Sequence, residues 1–407
     1  MRKMNKFALL IMISFTLIQS CAVKDKEEET QQLTKQITSP AAEKSEEPNL
    51  IAGADGNLYL SWVERQDENA TLKFSKWVDS KWSSPETIAE GDDWFVNWAD
   101  YPAMAVNKSG DKIAHYLQMS DTGSYTYDVK VVSKKSNDTK WSEPIKLHRD
   151  SVNAEHGFVS MLPMDDGNFF LTWLDGRNTM SADAGEHEGH GGGGAMTIRA
   201  ATLSTNLDLS NEVELDGRVC DCCQTSATMT DKGPVVTYRD RSEDEIRDMS
   251  IVRLVNGSWT SPETINNDHW NIAGCPVNGP RIVARSNNVA VAWFTSPDGV
   301  AKVNLAFSNN SGATFAEPIQ LDQGKAIGRV DIDMIDAETI FVSWMEGSDV
   351  VAAKVDNEGN ILKRYQLTAS SESRSSGFPQ IALIGNEVML AWTDSDVKKV
   401  KTAVLAL

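Results

Sequence analysis

Seven times along this chain a short apolar or alternating run ends on an aromatic side chain. The runs are residues 58–62, 112–116, 169–173, 235–238, 289–293, 340–344 and 388–392, closing on Trp62, Tyr116, Trp173, Tyr238, Trp293, Trp344 and Trp392. Four or five residues of this kind, rich in β-branched and aromatic types, predict strands. Most follow another short apolar segment and a tight turn such as Asp55-Gly56-Asn57, Ser109-Gly110-Asp111 or Asp166-Gly167-Asn168, which predicts hairpins. A second motif, aromatic-x-x-Pro-x-x-aliphatic, begins at Trp82, Trp141, Trp259 and Phe315, at spacings of 59, 118 and 56 residues. The middle gap is a double period, so one unit has lost the motif. Each unit reads as four short antiparallel strands, and radial stacking of such units leaves few exposed edges. The expected fold is all-β, a β-propeller of seven four-stranded blades, with six as the alternative. The last unit ends at Leu407 without an outer strand. Residues 33–40 repeat the apolar and proline spacing of the missing piece, so an N-terminal strand within 31–40 is expected to close the ring.

The N-terminus changes the picture of where such a domain works. Arg2, Lys3 and Lys6 precede an apolar stretch over 7–18, which ends Leu17-Ile18-Gln19-Ser20-Cys21. A basic start, a short apolar core and a small residue before the cut predict a signal peptide over 1–20 rather than a membrane span. A cysteine just after the cut offers a thiol for lipidation, and ordinary secretion with an incidental Cys21 is the alternative. Residues 21–47 are too polar to bury a core and read as a lipidated, flexible acidic tether, leaving 48–407 for the propeller. Ala22 is not the aspartate that resembles an inner-membrane retention signal, and the acidic run over 24–29 resembles the export signal of surface lipoproteins in the Bacteroidota. The expected partner is the outer membrane, through the lipid, with the domain facing outward; a periplasm-facing domain is the alternative. The formal charge of −19 becomes −22 once the leader is removed, which argues against nucleic acid.

Residues 308–315, Ser-Asn-Asn-Ser-Gly-Ala-Thr-Phe, resemble the Asp-box (BNR) repeat of sialidase-like propellers, with Asn310 in the aspartate position. Residues 255–259 and 134–141 resemble eroded copies. The chain is also similar to bacterial Asp-box lipoproteins that carry Arg-Val-Cys-Asp-Cys-Cys-Gln-Thr, here 218–225, and Gly-Cys-Pro-Val-Asn-Gly-Pro, here 274–280. The resemblance implies a propeller and, if the chain is an enzyme, a sialidase-like glycoside hydrolase. Such enzymes use three arginines on the substrate carboxylate, a Tyr–Glu nucleophile pair and an aspartate acid/base. The Phe/Tyr-Arg-Ile-Pro signature is absent, since the first unit reads Pro48-Asn49-Leu50-Ile51. No tyrosine falls at the mouth of the late units, and Tyr365 is expected in an outer strand.

In a propeller, inter-blade loops and second-to-third-strand loops share one face. That placement brings His156, Arg177, Arg239, Arg241, Trp270, Asn278, Arg329 and Asp331 toward one sector of one mouth. Arginines with interleaved carboxylates suit an anionic ligand, here a glycan or a small anion, with structural ion pairs as the alternative reading. Cys220, Cys222, Cys223 and Cys275 occupy loops that flank the fourth unit. Outside the cytoplasm they are expected to form two disulfides; a metal site and redox chemistry are the alternatives. His187 and His190 lie in a glycine-rich stretch with Met180, Glu186, Glu188 and Met196, where copper or zinc is the candidate metal and a solvated loop the plain alternative. Three functions remain open: a surface-anchored propeller holding an anionic glycan, an exo-glycosidase, and a copper- or zinc-handling protein.

Overall fold

The computed structural model of the chain describes residues 34–179 and 194–407. The leader, Cys21, the tether up to residue 33, His187 and His190 lie outside the described residues. Seven antiparallel sheets form seven blades, and among the described residues the remaining regular elements are two short 3-10 turns. The first strands of blades 1 to 7 are Ser45–Ala52, Met104–Val106, His156–Pro163, Ser226–Thr230, Arg281–Arg285, Ala326–Met334 and Gln380–Ile384. They pack against one another around the axis, with each blade's later strands following outward.

The aromatic-ended runs are the second strands. Both faces of these strands are covered by neighbouring blades, so Leu58, Tyr59, Leu60, Ser61, Trp62 and Val63 are all buried. This is why they read as continuous apolar stretches instead of clean alternation. Trp62, Trp173, Trp293 and Trp344 are the largest fully buried side chains. A buried indole N–H needs an acceptor. In three blades it donates to the carboxylate two residues further along: Trp62 to Glu64 at 2.8 Å, Trp173 to Asp175 at 2.9 Å and Trp344 to Glu346 at 3.1 Å. Trp293 uses Asp268, at 2.7 Å. The repeat thus plants an acid at the end of the second strand, where the mouth begins.

The N-terminal strand closes the ring as expected. Lys35–Ile37 pairs with Lys399–Ala406, in the register Lys35 with Val404 and Ile37 with Thr402, and becomes the outer strand of blade 7. Tyr365 lies in Ile361–Ala369, the outer strand of blade 6. The register shifts in the first strands of blades 1, 3 and 6, and Glu47, Phe158 and Arg329 sit in those bulges with φ of 59°, 52° and 52°. Non-glycine residues in the left-handed region are costly and are held there by their surroundings. All three bulges turn the chain at the mouth.

Candidate functional site at the propeller mouth

The mouth is assembled from inter-blade loops and second-to-third-strand loops, and their side chains divide into three groups with different chemistry. The first is a set of arginines whose guanidiniums are already engaged. Arg239 is 1% exposed and donates to the carbonyls of Asn278 (2.8 and 3.1 Å), Arg247 (2.7 Å) and Phe294 (2.6 Å), with its face over Trp270 at 4.7 Å. Arg329 donates to the carbonyls of Glu372, Ser373 and Gly377 and to the Ser376 hydroxyl, all within 2.7–3.1 Å, and lies 5.0 Å from the Trp98 ring. Arg241 forks onto Glu245 and reaches Asp221 at 3.0 Å. Arg177 clasps Asp175 at 2.6 and 2.7 Å. Asn278 binds this sector together, accepting from the Arg329 backbone N–H at 2.7 Å while its carbonyl holds Arg239.

Asp331 lies apart from those arginines, in the wall of a central cavity of about 310 Å³ that all seven first strands help to line. It accepts the N–H groups of Ile332 and Ile381 and sits 3.7 Å from Arg281, which itself hydrogen-bonds the Tyr101 hydroxyl. Burial pushes its carboxyl up to about 6, against the pull of Arg281.

His156 belongs to a second, buried group. It stacks on His148 with ring centroids 3.5 Å apart and planes 5° from parallel. Asp150 lies 2.7 Å from His148 and 3.3 Å from His156, Asp175 lies 3.5 Å from His156, and Asp128 lies 3.1 Å from His148. Burial alone would lower His156, but Asp150 and Asp175 hold it up at about 9. The same contacts keep both carboxyls below the usual range. His148, Asp128 and Asp150 carry no motif: pairing of the third and fourth strands of blade 2 brings them together, and blade 3 adds His156 and Asp175.

The third group lines a cavity of about 240 Å³ between the loops of the first four blades and those of blades 5 and 7. The Tyr127 hydroxyl, at the start of the third strand of blade 2, bridges two carboxyls: Glu155 at 2.8 Å and Asp100 at 3.2 Å. Asp100 also accepts from the N–H of Phe158, at 2.7 Å, in the blade 3 bulge. Burial raises Asp100 to about 7, opposed by those two hydrogen bonds. Burial likewise raises Glu155 to about 8; the Tyr127 bond opposes it, and the charges of Asp100, Asp221 and Cys275 add to it. Near neutral pH the Asp100–Glu155 pair therefore still holds a proton that it can donate. Phe95, Trp98 and Tyr125 supply aromatic faces, and Trp98 stacks on Phe378 at 5.6 Å. Arg374 lines the same cavity, exposed, 5.9 Å from the Trp98 ring, and has no carboxylate partner among the described residues. None of this group was picked out by sequence pattern. Tyr127 in particular lies in an early blade, away from the late units where the sialidase resemblance directs attention.

Cys222 and Cys275 also face this cavity. The disulfides expected from the sequence are not formed: all four thiols are free, and Cys220 and Cys223 hold their sulfurs 3.1 Å apart, well beyond the about 2.05 Å of an S–S bond. The loop that carries them is braced by Gln224, which donates to the Ala99 carbonyl at 2.7 Å and accepts from Gly279 N–H at 2.9 Å. A Cβ at Gly279 would lie 2.1 Å from the Gln224 carbonyl, which explains the glycine in the 274–280 motif.

Fold and site together define a seven-bladed β-propeller with a polar mouth and an aromatic side pocket. Neither a family model nor a curated protein matches the chain. Among solved structures, polysaccharide lyase Uly1 is similar at a TM-score of 0.54 with 10% identity, over 95% of this chain and 94% of that one. A protein of unknown function from Dyadobacter fermentans matches at 0.51 with 11% identity, over 77% and 97%. The NanB sialidase from Streptococcus pneumoniae matches at 0.47 with 10% identity, over 90% and 94%. At these identities the likeness is one of fold.

Proposed function

We propose that this protein is a glycan-binding propeller, and that its binding site is the aromatic pocket around Tyr127 rather than the clasped arginines. One observation carries the reading: the Tyr127 hydroxyl is held between Glu155 and Asp100 in a cavity faced by Trp98 and Tyr125, with Arg374 free at the rim. Aromatic faces accept sugar rings, the carboxyl pair hydrogen-bonds hydroxyls, and Arg374 supplies the positive charge that favours an acidic sugar. At about 240 Å³ the pocket is below the roughly 300–1,000 Å³ of sites for larger ligands, which suits one terminal ring. Uly1, whose fold is similar, is a polysaccharide lyase, which is in keeping with this reading.

The test is a glycan array probed with the full chain in detergent, followed by titration of the best hit. Arg374→Ala is expected to weaken an acidic glycan about tenfold, close to 1.4 kcal/mol, with an unchanged melting temperature. Binding is expected to fall as the pH rises through 7 and 8, because Asp100 and Glu155, both on the pocket wall, would then present negative charge to the ligand. Binding that ignores both Arg374 and pH removes the pocket from consideration. A second reading, hydrolysis, is favoured by the Tyr127–Glu155 contact with Asp100 beside it, the residue set that the sialidase resemblance implies. Product release from a sialoside reporter, abolished by Glu155→Gln, decides for it.

The reading places the propeller on the outer membrane through lipidated Cys21. Cys21→Ser is expected to abolish acyl labelling and move the protein out of the membrane fraction; lipid label persisting on that variant would refute the anchor.

A further inference from the structure

Cys220 and Cys223 lie outside the glycan pocket and Cys222 and Cys275 only line its wall, and the arrangement of the sulfurs carries a separate inference. Cys220, Cys222 and Cys223 turn their sulfurs toward one point: Cys220 lies 3.9 Å from Cys222 and 3.1 Å from Cys223, and all three sulfurs are within 4.8 Å of one another. The residues are 1%, 9% and 2% exposed. Thiol adjacency alone would be unremarkable in a flexible loop, but this loop is fixed on both sides. Cys220 N–H donates to the Arg239 carbonyl at 3.0 Å, Val219 bridges to Asp240, and Gln224 ties the far end to Ala99 and Gly279. The Arg247 guanidinium, its side chain 3% exposed, lies 3.3 Å from the Cys220 sulfur. The same guanidinium holds Glu245 at 2.8 and 3.2 Å with its other nitrogens, so it turns one N–H toward the Cys220 sulfur from a fixed position and favours its thiolate form.

We propose that Cys220, Cys222 and Cys223 form a three-sulfur site for monovalent copper at the propeller mouth. Metal–sulfur bonds of about 2.3 Å place neighbouring sulfurs of a trigonal site about 4.0 Å apart. The Cys220–Cys222 pair, at 3.9 Å, is close to that spacing, and the Cys220–Cys223 pair needs to open by less than an ångström. Thiolates select soft ions, with Cu(I) and Zn(II) the leading candidates. Coordination number separates the two. Structural zinc closes a tetrahedron of four ligands, whereas Cys275 contacts Cys222 but does not join the triad. Three convergent sulfurs without a fourth suit Cu(I). Cys275, on the side pocket, is the thiol left outside.

Full-length protein in detergent, reduced and handled without oxygen, is to be titrated with Cu(I) against a chromophoric Cu(I) chelator. One equivalent is expected to be retained. Cys220→Ser, Cys222→Ser and Cys223→Ser should each weaken retention roughly a hundredfold, the share of one ligand in a thiolate site, while Cys275→Ser should change it less than about threefold. Should the serine variants fail to fold, alkylation of the wild type read by mass spectrometry serves instead: copper should protect the three thiols and leave Cys275 reactive. The proposal is overturned if no copper is retained, if Zn(II) is held in preference with Cys275 required, or if labelling is the same with and without copper. It is equally overturned if protein from an oxidising compartment carries a disulfide within 220–223 or to Cys275 that survives mild reduction.

Discussion

Replacing Arg239 with alanine is expected to cost the ring about 3–5 kcal/mol, the range for breaking a buried charged network. The side chain satisfies three carbonyls from two blades, those of Arg247, Asn278 and Phe294, while its face covers Trp270. Alanine leaves those acceptors buried, at roughly 1–3 kcal/mol for each that finds no water. Urea denaturation at constant pH measures the loss. Arg374→Ala, at an exposed guanidinium, should stay within about 0.5 kcal/mol of wild type. The pair of variants separates the two roles an arginine can play at this mouth. If Arg239→Ala melts like wild type yet binds an acidic glycan more weakly, Arg239 is a ligand contact after all.

Asp175→Asn is expected to be nearly as damaging and to alter how stability depends on pH. The carboxylate is fully buried and receives both arms of Arg177, the Trp173 indole N–H and, at 3.5 Å, His156. An amide cannot accept from all of these and carries no charge, so a loss of about 3–5 kcal/mol is expected. His156 is held at about 9 in the fold against an ordinary value of about 6.5. The folded state therefore binds more protons than the unfolded state between those values. The stabilisation is complete below about 6.5 and disappears as the pH rises through 9. Asp150 and Asp175, held low, contribute above the ordinary carboxylate range and lose that contribution on acidification. Asp100 and Glu155 also lose stability as the pH rises toward 7 and 8, but they do so in both proteins. The difference between the two pH profiles from 6.5 to 9 thus isolates His156. Parallel profiles would mean that Asp175 does not hold the imidazole charged.

What could be read from the chain follows from what depends on local pattern. The second strands announced themselves because burial on both faces demands apolar runs, and the short outer strand at 35–37 because a repeat with one strand missing must borrow it. The arginines were legible as positions on one face but not as donors to carbonyls: the oxygens of Asn278 and Phe294 come within reach of Arg239 only once blades 4 and 5 have stacked. Asp100, Tyr127 and Glu155 come from three separate segments, each unexceptional in sequence, and acquire their chemistry only by being buried together. The cysteines were conspicuous by adjacency, yet adjacency could not say whether their sulfurs would bond in pairs or gather around a point.

The closing strand has a consequence for how the molecule comes into being. Thr34 donates to the carbonyl of Leu367, 333 residues away, and the neighbouring strand pairs with the last one in the chain. Contacts between such distant segments form late, since loop-closure entropy must be overcome before they return anything. The first six blades hold all their own strands and can stack as the chain is delivered, whereas blade 7 waits for its outer edge. Until the two ends meet, Lys399–Ala406 presents an unpaired strand edge, the surface on which chains recruit one another. The slow and vulnerable stage in the life of this protein is thus the interval in which a nearly finished wheel stands open, and three residues end it.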